Sequence, residues 1–182
     1  MTTLAAIYES LGPGLFADKG TVHTYIEPYA ELLAPYRHAA HRVVEIGVGD
    51  GHSLRMWRRY FHRAEIVGID LETRNVDAPG CRLIRGDATD PRTYREVGRV
   101  DVAIDDGSHQ LADQVAAFTL LWPLVVPGGL YVIEDIQYLD RDREALLGLH
   151  PSARVMDRRK LSGRYDDVLV VIGQCPVCDP VR

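Results

Sequence analysis

Glu45-Ile46-Gly47-Val48-Gly49-Asp50-Gly51 decides how this chain folds. Val43-Val44-Glu45-Ile46, on its N-terminal side, is a short apolar run of strand length. Ser53 to Tyr60, on the other side, has helical spacing. A glycine-rich turn between strand and helix lets the backbone bend tightly and brings the helix N-terminus close to any ligand there. The spacing is G-x-G-x-G, which differs from the G-x-G-x-x-G of dinucleotide enzymes and argues against a nicotinamide oxidoreductase.

The same alternation continues outward. Ile66 to Ile69, Arg82 to Ile84, Val100 to Ile104 and Leu130 to Ile133 read as further strands, and Gln110 to Trp122 reads as a helix closed by Pro127-Gly128-Gly129. Strands alternating with helices predict a parallel sheet covered on both faces. The stretch from Asp70 to Cys81 is short and broken by Pro79-Gly80, which predicts a loop. Arg154 to Met156 and Asp167 to Ile172 have no obvious helix between them and predict a hairpin at the sheet edge. Ahead of the glycine turn, Thr2 to Tyr36 has two helical stripes interrupted at Gly12-Pro13-Gly14. The expected division is a helical N-terminal lid over residues 1–40, a core over 41–174 and a tail over 175–182, all one domain.

Acidic residues close successive strands. Asp70 ends the second, where a carboxylate can accept hydrogen bonds from both hydroxyls of a ribose, and Asp87 follows the third. Asp105-Asp106 follows the fourth and Glu134-Asp135 the fifth. Neighbouring strands lie about 4.8 Å apart, so Asp106, Glu134 and Asp135 converge beside the glycine turn. Clustered carboxylates repel one another unless something neutralises them. A divalent cation does so, and all-oxygen ligands favour a hard ion such as Mg²⁺, with Mn²⁺ or Ca²⁺ as substitutes. His109 enters the next helix three residues after Asp106. An imidazole there can take the proton of a substrate hydroxyl.

The E-x-G-x-G-x-G turn, the acidic residue ending strand two and the C-terminal hairpin together resemble the class I S-adenosylmethionine-dependent methyltransferases. The resemblance implies a Rossmann-like α/β fold with a seven-stranded, mostly parallel sheet whose last strand is antiparallel. It implies that Gly47, Gly49 and Gly51 line the methionine part of the cofactor, that Asp70 holds the ribose, that Asp87 and Ala88 flank the adenine, and that Glu45, Ser53 and Asp105 also belong to the cofactor site. A narrower resemblance rests on Asp18-Lys19-Gly20-Thr21-Val22-His23, Ser53-Leu54-Arg55-Met56-Trp57, Ile104-Asp105-Asp106-Gly107-Ser108-His109 and Gly128-Gly129-Leu130-Tyr131-Val132-Ile133-Glu134-Asp135. These strings look like the metal-dependent sugar O-methyltransferases, which act on macrolide deoxysugars or polysaccharide mannosides. The resemblance implies Asp106, Glu134 and Asp135 as Mg²⁺ ligands and Asp106 and His109 as catalytic groups, with His109 the base. It also implies a segment from Asp18 to Tyr25 folded over the cofactor, with Lys19, Thr21 or Tyr25 near its carboxylate. The expected acceptor is a sugar-bearing small molecule or oligosaccharide. A catechol-like acceptor, or cofactor binding without catalysis, are the alternatives. No long insertion follows strand five, which suits a large acceptor.

Composition narrows the partners. Lys and Arg total 21 against 26 Asp and Glu, a net charge of −5, which argues against nucleic-acid or anionic-membrane binding. Hydrophobic residues make up 46% of the chain, as expected of a folded domain, and no apolar run has the length of a membrane span. The N-terminus lacks the basic-then-apolar order of a signal peptide, and three cysteines make an odd number, so a reducing cytoplasm is expected. The short N-terminal helices are a candidate homodimer surface. Cys175 and Cys178 are expected to be two incidental thiols, two ligands being too few for structural zinc.

Overall fold

In a computed structural model, residues 2–12 and 14–173 are described. The Cys175–Cys178 pair and the expected tail lie outside them. Three short helices, α1 (Leu4–Glu9), α2 (Asp18–Thr21) and α3 (Ile26–Leu33), precede β1 (Arg42–Ile46) and α4 (His52–Tyr60). Then come β2 (Glu65–Asp70), β3 (Arg82–Arg85), β4 (Val100–Asp105), α5 (Leu111–Leu121), β5 (Val125–Ile133), α6 (Leu139–Leu147), β6 (Arg154–Asp157), α7 (Arg159–Ser162) and β7 (Val168–Gly173). The seven strands form one sheet in the order β3-β2-β1-β4-β5-β7-β6, the seven-stranded, mostly parallel sheet that the resemblance implied. The first five strands pair in parallel, and β7 runs antiparallel between β5 and β6.

The central strands are apolar on both faces because both faces are covered. Val102 and Ile104 of β4 and Leu130 and Val132 of β5 join a core with α1, α3 and α4. Their neighbours Ala103, Tyr131 and Ile133 join a second core with α5 and α6. The apolar positions of the N-terminal helices, among them Leu4, Ile7 and Leu32, are spent on the first core. Asp70 to Cys81 is a loop, as its composition predicted.

Three details differ from the sequence reading. Residues 139–147 form α6, a stretch to which the sequence reading assigned no element; Asp140 and Asp142 sit in its first turn, where carboxylates favour a helix N-terminus. Strand β5 starts at Val125 and runs through Pro127-Gly128-Gly129, with its register against β4 shifted between Val100 and Val102. The terminal hairpin contains the one-turn helix α7.

The N-terminal segment is tied to the hairpin through Asp167. Its Oδ1 accepts from the Thr24 backbone N–H at 3.2 Å and its Oδ2 from the Thr24 hydroxyl at 2.8 Å. Burial pushes this carboxyl up, but hydrogen bonds from Ser162 and Thr24 and the nearby His23 outweigh it and hold the group below its ordinary value. A depressed folded-state pKa contributes stability above the unfolded value of about 3.9 and loses it as pH falls through the folded value. Asp167→Asn is therefore expected to cost about 1–2 kcal/mol near neutrality. The difference from wild type should shrink as the pH falls from the unfolded value through the depressed folded one. Urea unfolding near neutrality and in acid checks this; a deficit that persists unchanged in acid would assign the effect to packing.

Candidate cofactor and metal site

Beyond the C-terminal ends of β1, β4 and β5 the ladder continues by one step each. Gly47 donates to the Ile69 carbonyl, Asp106 to that of Ile46 and Glu134 to that of Asp105, all at 2.9 Å. The glycine turn and both acidic pairs are thus fixed by sheet backbone and not by mobile loops. This crevice is the topological switch point, where open α/β sheets bind ligands.

Two cavities, of about 340 and about 470 Å³, adjoin there and share Gly47, Asp70 and Gly107 in their walls. Asp87, Ala88 and Asp105 line the first. Thr21, Gly49, Ser53, Asp106 and His109 line the second. Asp70 Oδ2 accepts from the Val48 N–H at 2.8 Å, so its other oxygen faces the connection to Glu72, whose N–H it accepts at 3.0 Å. Asp105 is buried and held up at about 7 by desolvation, despite the hydrogen bond from the Gly107 N–H.

Behind the second cavity lies a buried polar cluster. The fully buried Lys19 ammonium is 2.6 Å from Asp106 Oδ2, 2.9 Å from Glu134 Oε1 and 3.3 Å from Glu45 Oε1. Glu45 also accepts from the Ser53 hydroxyl at 2.7 Å. Tyr29 donates to Glu134 at 2.5 Å and Tyr25 to Asp135 at 2.8 Å. His23 stacks on Tyr25 and places Nε2 3.3 Å from Asp135. Desolvation pushes the Glu45 and Glu134 carboxyls up against the pull of Lys19, and raises Asp135 to about 7. His109 and Asp135 both have left-handed backbone, with φ of 58° and 55°, a conformation uncommon outside glycine and frequent at functional sites.

The residues present fit a divalent cation. Ligand atoms of Asp106, His109 and Asp135 lie within 4.8 Å of one another, as do those of Glu45, Asp106 and Glu134. Four carboxylates against a single ammonium leave excess negative charge in a low-dielectric place, and the donor chemistry suits Mg²⁺ or Mn²⁺.

The structure redistributes several expected roles. Lys19 and Tyr25, expected at the cofactor's carboxylate, point into the carboxylate cluster, because ion pairing and hydrogen bonding compensate their burial there. Glu45 is walled off behind Ser53 and Lys19 for the same reason. Gly51 lines neither cavity; it packs against Val76 and Ala78. The expected trio of Asp106, Glu134 and Asp135 divides into the two donor groups above, with Asp106 common to both. Thr21, Gly47, Gly49, Ser53, Asp70, Asp87, Ala88, Asp105, Asp106 and His109 do line the cavities. Tyr29 was read only as part of an apolar stripe. Its spacing of four from Tyr25 sets both rings on one helix face, and that was the available signal.

A sequence-family profile described as a methyltransferase domain matches residues 44–136. An 8-demethyl-8-alpha-L-rhamnosyl tetracenomycin-C 2'-O-methyltransferase from Streptomyces olivaceus is 43% identical over 133 residues, which is 66% of this chain and 35% of that protein. A mycinamicin VI 2''-O-methyltransferase from Micromonospora griseorubida is 42% identical over 129 residues, 64% of this chain and 32% of that one. The chain thus spans about a third of the length of these curated relatives. Among solved structures, the MycE methyltransferase from the mycinamycin biosynthetic pathway, in complex with Mg, SAH and mycinamycin VI, superimposes with a TM-score of 0.65 at 38% identity, covering 74% of this chain and 39% of that one.

Proposed function

The chain belongs to the methyltransferase domain family, and from that premise we propose that it moves a methyl group from S-adenosylmethionine to a hydroxyl of a sugar, with a divalent cation, in the manner of its relatives on glycosylated natural products. The observation that carries this reading is the junction of the glycine-turn cavity with Asp106 and His109 in one wall. S-adenosylmethionine supplies an electrophilic methyl on a sulfonium. A divalent cation would be held by Asp106 with Asp135, or with Glu134, next to the His109 base, and would supply positive charge that makes a nearby hydroxyl easier to ionise.

The chain's own groups do the rest. The Gly47 turn admits the cofactor close to the backbone, and Asp70 and Asp87 present carboxylates to the nucleoside end. The acceptor oxygen forms a bond to the methyl carbon as the carbon–sulfur bond breaks. His109 takes the hydroxyl proton at a ring nitrogen, and the sulfonium becomes a neutral thioether, so no leaving-group charge needs stabilising. Thr21 and Ser53, at the other side of the same cavity, help confine the cofactor.

A screen of glycosylated acceptors with S-adenosylmethionine and Mg²⁺, with and without chelator, tests the reading. Methyl transfer to a sugar hydroxyl that chelator abolishes supports it. Transfer to catechols alone would reassign the acceptor, and failure to bind S-adenosylhomocysteine would overturn the proposal. His109→Gln is expected to lower turnover by at least about 100-fold while leaving cofactor affinity unchanged. Equal losses in binding and turnover would make His109 a structural residue.

A further inference from the structure

Lys19 places an ammonium inside the carboxylate cluster. Its ammonium is fully buried and sits in the donor group of Glu45, Asp106 and Glu134, at ion-pair distance from all three. Three carboxylates gathered around one point are the arrangement that would otherwise hold a hard cation. Glu45 Oε1 is buried and has no hydrogen bond of its own, so the ammonium at 3.3 Å is what compensates it. Asp106 gives only Oδ2 to Lys19 and Glu134 gives Oε1 to both Lys19 and Tyr29. The second donor group, Asp106 with Asp135 and His109, does not include Lys19 as a partner of Asp135 or His109.

We infer that Lys19 is a resident cation: it fills the inner half of the carboxylate cluster, holds Asp106 and Glu134 in place before any ion arrives, and restricts the chain to a single divalent ion on the Asp106–Asp135 side. This rests on the reading that the outer half takes a divalent ion. Lys19 acts as a positioning residue, since it touches the ligands and not the reacting atoms. Its place on α2 also ties the segment bearing Thr21 to the strand ends.

The test is Mn²⁺ binding, counted from the electron paramagnetic resonance signal of the free ion, on the wild-type chain, Lys19→Met and Lys19→Arg, with thermal melts over the same Mn²⁺ range. Wild type is expected to bind one ion. Lys19→Met is expected to bind a second ion, or the same ion at least about tenfold more tightly, because an adjacent positive charge has been removed. Its Tm without metal should fall by about 10 °C, since a buried ion pair has lost one partner, and Mn²⁺ should restore it. Lys19→Arg keeps the charge and should keep the wild-type stoichiometry and affinity. Lys19→Met that binds Mn²⁺ with the wild-type number and affinity, or more weakly, overturns the inference while leaving the metal reading intact. So does Lys19→Met that stays unfolded at saturating Mn²⁺, because a cation should stand in for the ammonium. Wild type that binds no ion overturns the metal reading and with it the inference that rests on it, an outcome distinct from the two above, in which wild type still binds its ion.

Discussion

Replacing Asp106 with alanine is expected to weaken divalent-ion binding by more than about 100-fold, since even the outer partners of metal ligands are worth about 10–100-fold. Methyl transfer should fall by about a thousandfold or more, the equivalent of several kcal/mol of transition-state stabilisation. Asp106 is the residue common to both groups of candidate ligands and also the nearest partner of Lys19. Its removal therefore deprives the cation of a ligand from either side. The backbone hydrogen bond from Asp106 to Ile46 does not involve the side chain, so the glycine turn should keep its shape. Calorimetric titration with S-adenosylhomocysteine, followed by Mn²⁺, separates the two effects: cofactor affinity should be retained and the metal response lost. Asp106→Asn, which preserves size, should show the same loss. A variant that retains metal affinity within about tenfold would place the ion away from Asp106.

Gly47→Ala should abolish cofactor binding and lower Tm by about 10 °C, at 2–4 °C per kcal/mol for a chain of this size. Gly47 has φ of +77°, and an added Cβ would run into the carbonyl oxygen of Asp106 and come within 2.9 Å of the Gly107 Cα. Those are backbone atoms locked by the β1–β4 ladder, so they cannot swing aside as a side chain would. Left-handed backbone costs a non-glycine residue about 1–2 kcal/mol, and overpacking adds about 1–3 kcal/mol. Gly49→Ala is the control. Its φ is +47° but nothing lies within 4 Å of the added carbon, so only the smaller backbone cost of about 1 kcal/mol is expected. Melting curves on both variants decide the matter; equal falls in Tm would mean that close packing onto Asp106 is not why a glycine stands at 47.

The central strands were legible because they bury both faces and so read as apolar runs, and because each ends at an acidic or glycine-rich turn. Asp70, Asp87, Asp106 and His109 could be found that way, one strand end at a time. That the fourth and fifth strand ends meet followed from the fold class the resemblance implied, and the observed order agrees. Helix α6 escaped because most of its residues are charged, and its one clear signal, acidic residues in the first turn, resembles a polar loop. The cluster partners escaped for a different reason. Nothing local marks Lys19 as the counter-ion of Glu134, or Tyr29 as its hydrogen-bond donor; those contacts arise only when α2 and α3 pack across the strand ends. Lys19 in particular was assigned to the cofactor by resemblance, whereas the pull of the buried Glu45 and Glu134 and the part-buried Asp106 takes it inward.

The cluster also dictates an order of assembly. Lys19 meets Asp106 across 87 residues, Tyr29 meets Glu134 across 105, and Thr24 meets Asp167 across 143. Contacts this distant in the chain must meet the cost of closing long loops before they return anything, so they are late events in folding. On the ribosome, the segment carrying Lys19 emerges before β4 and β5 and has no partners until they are made, and Asp167 arrives after them. The N-terminal helices therefore dock onto a sheet that has already formed, and the carboxylates stay unneutralised and hydrated until they do. Refolding should accordingly show sheet formation ahead of burial of Tyr25 and Tyr29, with the site completed as the closing step.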